Sequence, residues 1–484
     1  MSGRPLKAKL MLGFIVLALL TSCMVGPDFI TPKAPAVNRY TQEAAPTETV
    51  VADGWAQHFK SGAKVNPDWW RLFNSTKLNV LVSKALANNF NLQSAQANLR
   101  QSQANLKAGY GVFFPQVDMS FSPVRQQFSP ARFGSSSTGS TFNLYTFSTT
   151  VSYTLDVFGG ERRNLESLDA LKELQHYTAL GTYLTLTGNI INTVIAKAAY
   201  QDEVVATEHW LALLHKQIDL TEIQVKAGTV PYQTVVTLRS QLAQVAASLP
   251  ALKQQVNQAE HLQANLVGLT PADWQSPSFN LDDLTLPLTI PVSLPSELVH
   301  QRPDILAAEA QLHSDSAKIG VATAGLFPNI SLSGSYGYNN QSLLDLFMSK
   351  GNIWSMGANF AQPLFHGGTL WFGRKAAIAT YEKSLAAYQQ TVISAFSQVA
   401  DALSALQHDA ELVAAQRQSL DAAEDALRLV RANYQAGLVN SQQALIIESQ
   451  REQARVTYLS ALGQRFQDTV AFFVALGGGL NNEH

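Results

Sequence analysis

Residues 392–427 read VISAFSQVADALSALQHDAELVAAQRQSLDAAEDAL, with an apolar residue at every seventh position. The series extends in both directions to ten positions: Trp371, Ile378, Leu385, Val392, Val399, Leu406, Val413, Leu420, Leu427 and Tyr434. A heptad series of this length is typical of a left-handed coiled coil. Neither residues 369–437 nor residues 161–227 contain proline. The two stretches therefore predict two unbroken helices, each ~100 Å long at 1.5 Å per residue.

The chain is predicted to be an internal duplication. Phe114-Pro115 recurs as Phe327-Pro328 after 213 residues, and Ala227-Gly228 recurs as Ala436-Gly437 after 209 residues. Each half predicts a helix, two strands, a long helix, a turn and a last helix. The alternative is a chance similarity between alanine-rich helices.

Shorter helices are predicted to pair with the long ones. Residues 91–114 and 232–268 together nearly match the first long helix in length, and residues 303–327 and 442–476 nearly match the second. Pro250 is expected to bend the helix that contains it. Two stacked short helices can therefore cover each long helix, and three subunits would supply a ring of twelve helical stretches.

Four segments alternate apolar and polar residues, as strands with two different faces do. They are residues 117–121, 147–157, 330–338 and 354–364. Their alternation and approximate length favour outer-membrane strands with the apolar face toward lipid. A soluble sandwich with one solvated face is the alternative.

Four strands cannot close a barrel, and an open sheet edge in lipid costs several kcal/mol for each unpaired backbone group. Two copies would give eight strands, whose interior side chains fill. Three copies would give twelve strands with room for a pore, which favours a trimer. The predicted fold is mainly α with membrane β: internally duplicated, with long coiled-coil α-barrel helices and four strands per protomer of a shared twelve-stranded β-barrel.

The N-terminus predicts a lipid anchor. A basic start precedes the eleven apolar residues 10–20, too few for a spanning helix. Leu20-Thr21-Ser22-Cys23 then resembles a bacterial lipobox, and Cys23 is the only cysteine. The resemblance implies cleavage before Cys23, a covalent lipid on its sulfur and, because Met24 follows rather than Asp, the outer membrane. An ordinary buried cysteine is the alternative.

We divide the chain into six regions. They are a signal peptide (1–22), a lipid-anchored extension with an equatorial part (23–90), a first repeat (91–270), a proline-rich equatorial connector (271–302), a second repeat (303–476) and a C-terminal tail (477–484). We interpret Gly477-Gly478-Gly479 as flexible.

The composition argues against several classes of function. The formal net charge is −2 with 14% charged residues, and no basic patch indicates a nucleic-acid partner. The ten histidines share no metal-ligand spacing, and no Ser-His-Asp pattern or phosphate loop occurs. We expect no enzymatic activity and no cofactor apart from the lipid on Cys23.

Further motifs carry a family resemblance. Residues 68–73 read DWWRLF, residues 155–159 read LDVFG and residues 301–305 read QRPDI. With the two glycine turns, they make the chain resemble the TolC-like outer-membrane efflux factors, in particular the lipoprotein NodT/OprM-like branch. Pro303 also fits a first helical position, and Asp304 fits the positive start of a helix.

The resemblance implies a homotrimer with a twelve-stranded barrel and a twelve-helix periplasmic tunnel, joined by a periplasmic membrane-fusion adaptor to an inner-membrane RND-type transporter. It places Val225, Gly228, Tyr434 and Gly437 at adaptor-facing tips. It places Leu427, Arg428 and Arg431 at a periplasmic constriction.

The sequence departs from the family pattern at this constriction, the gate of the channel, so the charge of the gate is open to interpretation. Relatives often carry an acidic residue close to the second tip, whereas Glu424 and Asp425 lie more than three turns before Gly437 and the two arginines lie nearer. An acidic gate, a gate held by arginine salt bridges and a merely solvated helix face are the alternatives.

The leading functional hypothesis is an outer-membrane exit duct of a tripartite efflux pump, passively conducting drugs or other small molecules. A pore-less periplasmic coiled-coil lipoprotein scaffold and the same channel in another export system are the alternatives.

Overall fold

The computed structural model describes residues 24–479 except 38, 43–46, 130–133 and 135–137. Its helices are α1 Thr76–Asn88, α2 Phe90–Gly109, α3 Gly160–Lys226, α4 Tyr232–Leu266, α5 Pro295–Leu298, α6 Pro303–Ala324, α7 Thr369–Gln435 and α8 Ser441–Ala475. Its strands are β1 His58–Ser61, β2 Gln116–Phe128, β3 Ser140–Leu155, β4 Thr289–Val292, β5 Asn329–Asn340 and β6 Asn352–Ala361. Among these residues, no helix combines the length and the apolar character needed to cross a membrane.

The two predicted long helices are confirmed, and they are equal. Helices α3 and α7 each contain 67 residues, and α4 and α8 each contain 35. All four pairs of matching ends lie 209 residues apart, because the turns that join the helices occupy matching positions. Pro250 lies inside α4. Helix α2 ends at Gly109, earlier than predicted, and a 3-10 turn follows over Tyr110–Phe113.

The heptad series of α7 is buried only in its middle part. The ends differ from the prediction, since Trp371 and Tyr434 are exposed and Ile378 and Leu385 are half-buried. A heptad position is buried only where it faces a neighbouring helix. Helix α6 contacts the first part of α7 through Thr323 and Arg374 at 3.0 Å, and α8 contacts the last part through Glu448 and Arg431 at 2.7 Å, so these four positions face at least partly away from both helices. The buried positions are Val392, Val399, Leu406, Val413, Leu420 and Leu427.

One compact unit contains Asn98–Gln175, Ala308–Tyr388 and the N-terminal residues up to Pro32. It holds an antiparallel sheet in the order β2-β3-β5-β6. In its helices, Ser167 of α3 contacts Ser314 of α6 at 2.8 Å, and Ser384 of α7 donates to Asp315 of α6 at 2.6 Å. The helix α6 therefore lies between α3 and α7.

The second unit comprises Lys33–Ala97, His176–Ala307 and Gln389–His484. Lys253 of α4 pairs with Glu208 of α3 at 2.7 Å, and Gln217 of α3 donates to Ser449 of α8 at 2.5 Å. Thr457 of α8 donates to Gln416 of α7 at 3.0 Å. The helices therefore follow the order α4-α3-α8-α7, with one long helix in the interior and the other at an edge.

The equatorial part of this second unit is built around aromatic residues. Trp69 is buried and stacks on Phe473 of α8 with the ring centroids 5.0 Å apart. Strand β1 pairs in parallel with β4, so that Phe59 lies opposite Ile290. This pairing joins the residues before the first repeat to the proline-rich connector.

The prediction of flexibility for Gly477-Gly478-Gly479 is wrong. A Cβ at Gly478 would lie 2.3 Å from the side chain of Leu184, and one at Gly479 would lie 2.1 Å from the carbonyl oxygen of Val65. All three glycines have positive φ. Their missing side chains let the chain end of α8 pack closely against the equatorial residues. Residues 480–484 lie outside the described residues.

Candidate functional site

The sheet has two chemically different faces. Its register places Phe121, Phe147 and Tyr338 side by side on one face. Met356 shares that face and is 85% exposed. The opposite face carries hydroxyl groups, with Ser120 and Ser148 in contact at 3.0 Å and Ser335 and Ser355 at 2.8 Å. One apolar and one polar face are what a strand between lipid and water requires.

The two outer strands of the sheet have a free edge. In the described part of the chain, β2 pairs only with β3, and β6 pairs only with β5. Strand β2 contains 13 residues and β6 contains 10. Free edges of this length are templates for pairing with another chain.

Exposed aromatic residues mark the junction between β6 and α7. Phe365, Trp371 and Phe372 are all exposed. The ammonium group of Lys375 lies 5.7 Å from the Trp371 ring centre and 5.8 Å from that of Phe372. Aromatic rings with a neighbouring cation are typical of the boundary between lipid and water.

The two hairpin turns have the same backbone structure. Thr229 donates its N–H to the carbonyl of Gln224, and Leu438 donates to that of Asn433, so both helices end in a Schellman motif. Gly228 and Gly437 have φ of +69° and +75°. Both glycines therefore adopt the left-handed conformation that favours glycine at the end of a helix.

An ion pair joins the two helices at each tip. The acidic residue lies on the long helix at the first tip and on the shorter helix at the second. Arg239 of α4 donates to Glu222 of α3 at 2.7 Å. Arg431 of α7 donates to Glu448 of α8 at 2.7 Å. Residues 222 and 431, like residues 239 and 448, are 209 apart, so the same positions carry exchanged charges. This exchange of charges was not predicted, although the offset of 209 in the sequence is sufficient to find it.

The residues that follow the predicted anchor lie against the base of the sheet, the end at which β3 leads into α3. The N–H of Val25 donates to the carbonyl of Phe158 at 3.1 Å. The buried Arg163 donates to Asp28 at 2.7 Å and to the carbonyls of Val25 and Gly26 at 3.3 and 3.4 Å. We call residues 24–32 the N-terminal strap. Cys23 itself lies outside the described residues.

The comparison with known families decides the assignment. A model described as outer membrane efflux protein matches residues 81–268 and 294–478. The chain belongs to the outer membrane efflux protein family. The predicted family, its place in the outer membrane and the predicted fold class, mainly α with four membrane strands and an internal duplication, are thereby confirmed.

Individual relatives agree with this membership. The chain is 30% identical over 441 residues to the pyoverdine export outer membrane protein OpmQ of Pseudomonas putida, covering 88% of this chain and 91% of OpmQ. It is 28% identical over 470 residues to nodulation protein T of Rhizobium leguminosarum bv. viciae, covering 95% and 92%. The solved outer-membrane channel OprN superimposes with a TM-score of 0.81 at 28% identity, covering 94% of this chain and 99% of that one. The chain is thus an outer-membrane efflux channel.

The other predicted site residues of this family member differ in accessibility. At the tips, Tyr434 is exposed and Val225 is half-buried. Leu427 is 6% exposed and packs inside the protomer. Arg428 is exposed and pairs with Asp425 on its own helix. Of the three residues predicted for a constriction, only Arg428 and Arg431 therefore present an accessible charge.

The Arg302-Pro303-Asp304 motif connects three helices. Pro303 begins α6 and Asp304 lies in its first turn, as predicted. The guanidinium of Arg302 donates to Asp304 at 2.6 Å, to the carbonyl of Ala475 at 2.8 Å and to Gln398 of α7 at 2.8 Å. Arg302 thereby satisfies the last carbonyl of α8, which has no partner within its own helix. The motif positions helices, and no metal cluster occurs in the described residues.

Proposed function

We propose that three copies of this chain form the passive exit duct of a tripartite, RND-type efflux pump that carries drugs or other small molecules from the periplasm to the exterior. The observation that carries the proposal is the four-stranded sheet with one apolar face, one polar face and two free edges. The chain itself performs no enzymatic reaction. It opens and closes while the inner-membrane transporter supplies the energy.

The free edges of the sheet favour an oligomer over a single copy of the chain. In hydrocarbon, each unpaired backbone group costs several kcal/mol, so β2 and β6 must find partners. When β6 of one copy pairs with β2 of the next, three copies close a barrel of twelve strands. The polar Ser120, Ser148, Ser335 and Ser355 then face the lumen, and Met356 faces lipid.

The helices support the same assembly. In the first unit, a Cβ at Gly109 of α2 would lie 2.8 Å from the side chain of Leu168 of α3, so that α2 extends the row of α3, α6 and α7. Each compact unit therefore has a row of four helices, and α7 lies at one end of both rows. The outer helices have uncovered sides, as the outer strands do. A row that continues into the next copy would cover them and complete a tunnel.

The two tips are the surface that we assign to the periplasmic adaptor. Gly228 and Gly437 have open space around them, since a Cβ at either position would meet no atom within 4 Å. Leu438 beside Gly437 is 74% exposed. An uncovered apolar side chain flanked by arranged charges is a suitable contact for a protein partner. Arg428 and Arg431 would lie close to the constriction.

We assign a covalent lipid to Cys23 as the anchor of each copy. The N-terminal strap supports this assignment, because Val25, two residues after the cysteine, bonds to Phe158 just beyond the end of β3. An acyl chain on Cys23 would then start close to the base of the sheet. The anchor needs no further cofactor.

The experiment compares neighbouring substitutions on opposite faces of β6. Met356→Arg places a charge on the lipid side, at a cost of about 2–4 kcal/mol near the bilayer centre, and should abolish the trimer band in unheated gels of outer membranes. Ser355→Arg places the same charge in the lumen. It should leave the trimer intact and lower both the single-channel conductance and the preference for cations in planar bilayers.

Two outcomes would contradict the proposal. A wild-type protein that is a monomer and conducts nothing would favour the pore-less scaffold. Equal behaviour of the two arginine variants would mean that the faces of the sheet do not separate lipid from lumen.

A further inference from the structure

The connection between β5 and β6 is a closed, ordered loop. Asn340 donates its side-chain amide to the carbonyl of Asp345 at 2.8 Å, and the N–H of Met348 donates to the same carbonyl at 3.0 Å. At the end of the loop, a Cβ on Gly351 would lie 2.5 Å from the carbonyl oxygen of Asn339. The backbone thus bonds to itself and packs against the strand that it leaves.

Apolar side chains cover the outside of this loop. Leu344 is 96% exposed, and Leu343, Phe347 and Met348 are also exposed. Leu346 is buried and holds the loop in place. We call residues 343–348 the apolar lip. Its side chains form an uncovered apolar patch, which in a folded protein indicates a binding surface.

The apolar lip continues the apolar face of the sheet. The Phe347 ring lies 5.4 Å from that of Phe147 and 5.6 Å from that of Tyr338, in edge-on arrangements. Both partners belong to the apolar face, where Tyr336 also contacts Tyr338 at 3.2 Å between the hydroxyl groups. The lip therefore lies on the side of the sheet that we assign to lipid.

The position of the lip also argues against a neighbouring copy as its partner. Phe147 and Tyr338 belong to β3 and β5, the two central strands, whereas a second copy would join at β2 or β6. Helices α6 and α7 adjoin the other end of β5 and β6. With those helices in the periplasm, the lip lies at the outer surface of the membrane.

We propose that the apolar lip is a lipid-binding surface that inserts Leu344, Phe347 and Met348 among the acyl chains of the outer leaflet. The inference rests on the proposed function, because it requires the apolar face of the sheet to contact lipid. Its consequence is a second attachment of each copy to the membrane, at the outer end of the strands, in addition to the anchor on Cys23.

The test measures whether a spin label on the lip is in lipid or in water. Single cysteines are introduced by Leu344→Cys and, separately, Met348→Cys into a full chain carrying Cys23→Ser, and the proteins are reconstituted into phosphatidylethanolamine–phosphatidylglycerol vesicles. The readout is the accessibility of the label to oxygen relative to a water-soluble nickel chelate. Met356→Cys on the sheet is the lipid control, and Leu438→Cys at the helical tip is the water control, because Leu438 is also an exposed leucine.

The lip labels should behave like the label at 356, with an oxygen-to-nickel ratio at least about threefold above that at 438. A ratio like that at 438, while 356 stays in lipid, overturns the inference and leaves the proposed function intact. If neither reagent reaches the label at 344, the lip is covered by protein, and the inference is also overturned. If 356 itself is reached mainly by nickel, the proposed function fails together with the inference.

Discussion

Helices α3 and α4 of the first repeat and helices α7 and α8 of the second have the same lengths and end in the same turn, but their matched side chains differ in kind. The buried Lys197 of the first repeat corresponds to the buried Leu406 of the second. The tip pair Glu222–Arg239 corresponds to Arg431–Glu448 with the charges exchanged. The backbone depends on helix length and on the glycine turns, which both repeats keep. Polar side chains need only a local partner, so each repeat could acquire its own.

The first prediction concerns the buried heptad positions of α7 in the second repeat. Leu406→Ala should lower the free energy of unfolding by about 3 kcal/mol, because it removes a fully buried side chain and leaves a cavity. The measurement is chemical or thermal unfolding followed by circular dichroism. Leu412→Ala on the same helix is the control and should cost much less, since Leu412 is exposed. Equal losses would show that the seam of α7 is not the core of the repeat.

The second prediction introduces the residues of the second repeat into the first. Lys197 pairs with Glu260 at 2.9 Å and donates to Ser276 at 2.5 Å. Lys197→Leu should cost about 2 kcal/mol, a reduced value because Glu260 is partly exposed to solvent. Adding Glu260→Thr, which reproduces the matched Thr469, removes the unpaired carboxylate and should restore more than half of the loss.

The measurement for this pair is again unfolding, with Glu260→Thr alone as the third corner of a double-mutant cycle. Additive effects of the two substitutions would mean that Lys197 acts through the connector residue Ser276 and not through its ion pair. That result would separate the anchoring of the connector from the pairing of α3 with α4.

The third prediction concerns a carboxyl group that only the second repeat has. Burial, aided by the charge of nearby Asp468, raises the pKa of Asp409 from 3.8 to about 7. A carboxyl with a raised folded pKa stabilises the protein below its unfolded pKa, and this contribution disappears as the pH rises from about 4 to about 7. Asp409→Asn removes the ionisation. It should match the wild type at pH 4 and exceed its stability at pH 8 by about 1 kcal/mol, after allowance for solvent screening.

Unfolding midpoints across this pH range provide the measurement. Asp401→Asn changes an exposed carboxylate on the same helix and should shift stability little at either end of the range. The prediction is wrong if Asp409→Asn shifts the midpoint equally at pH 4 and at pH 8, because a constant shift reflects packing and not a proton.

Sequence patterns predicted the parts of this fold that depend on periodicity. The absence of proline and the glycine turns placed both ends of α3 and α7 within two residues. Alternation placed all four membrane strands, because a strand between lipid and water must alternate. The position of Pro303 at the start of α6 also followed from local rules.

Contacts between distant segments could not be predicted in this way. Composition suggested a flexible chain for Gly477-Gly478-Gly479, and only the packing against Leu184 and Val65 reveals why glycine is needed there. The same applies to the bond from Arg302 to Ala475, which joins residues 173 apart. The burial of Leu427 depends on which helix covers α7, and a heptad alone does not name that helix.

The last prediction has the smallest effect on stability and tests whether the exchanged charges at the tips serve a function. Glu222→Arg combined with Arg239→Glu gives the first tip the charge order of the second. Because the pair is exposed and is reformed in reverse, we expect an unchanged melting midpoint and unchanged conductance. If the adaptor distinguishes the tips by charge, cells with this variant should nevertheless retain more efflux substrate and show less cross-linking between the channel and its adaptor.

The reciprocal variant, Arg431→Glu with Glu448→Arg, is the matched test of the second tip. Exchanging the acidic and basic residues at both tips at once again gives two tips with opposite charge arrangements, but in reversed positions. Recovery of efflux in this variant would show that the adaptor requires only that the two tips differ in charge. Continued loss would show that each charge has its own place on the adaptor. Normal efflux in all three variants would mean that the ion pairs only hold the helices of each tip together. The adaptor would then not recognise the tips by their charge arrangement.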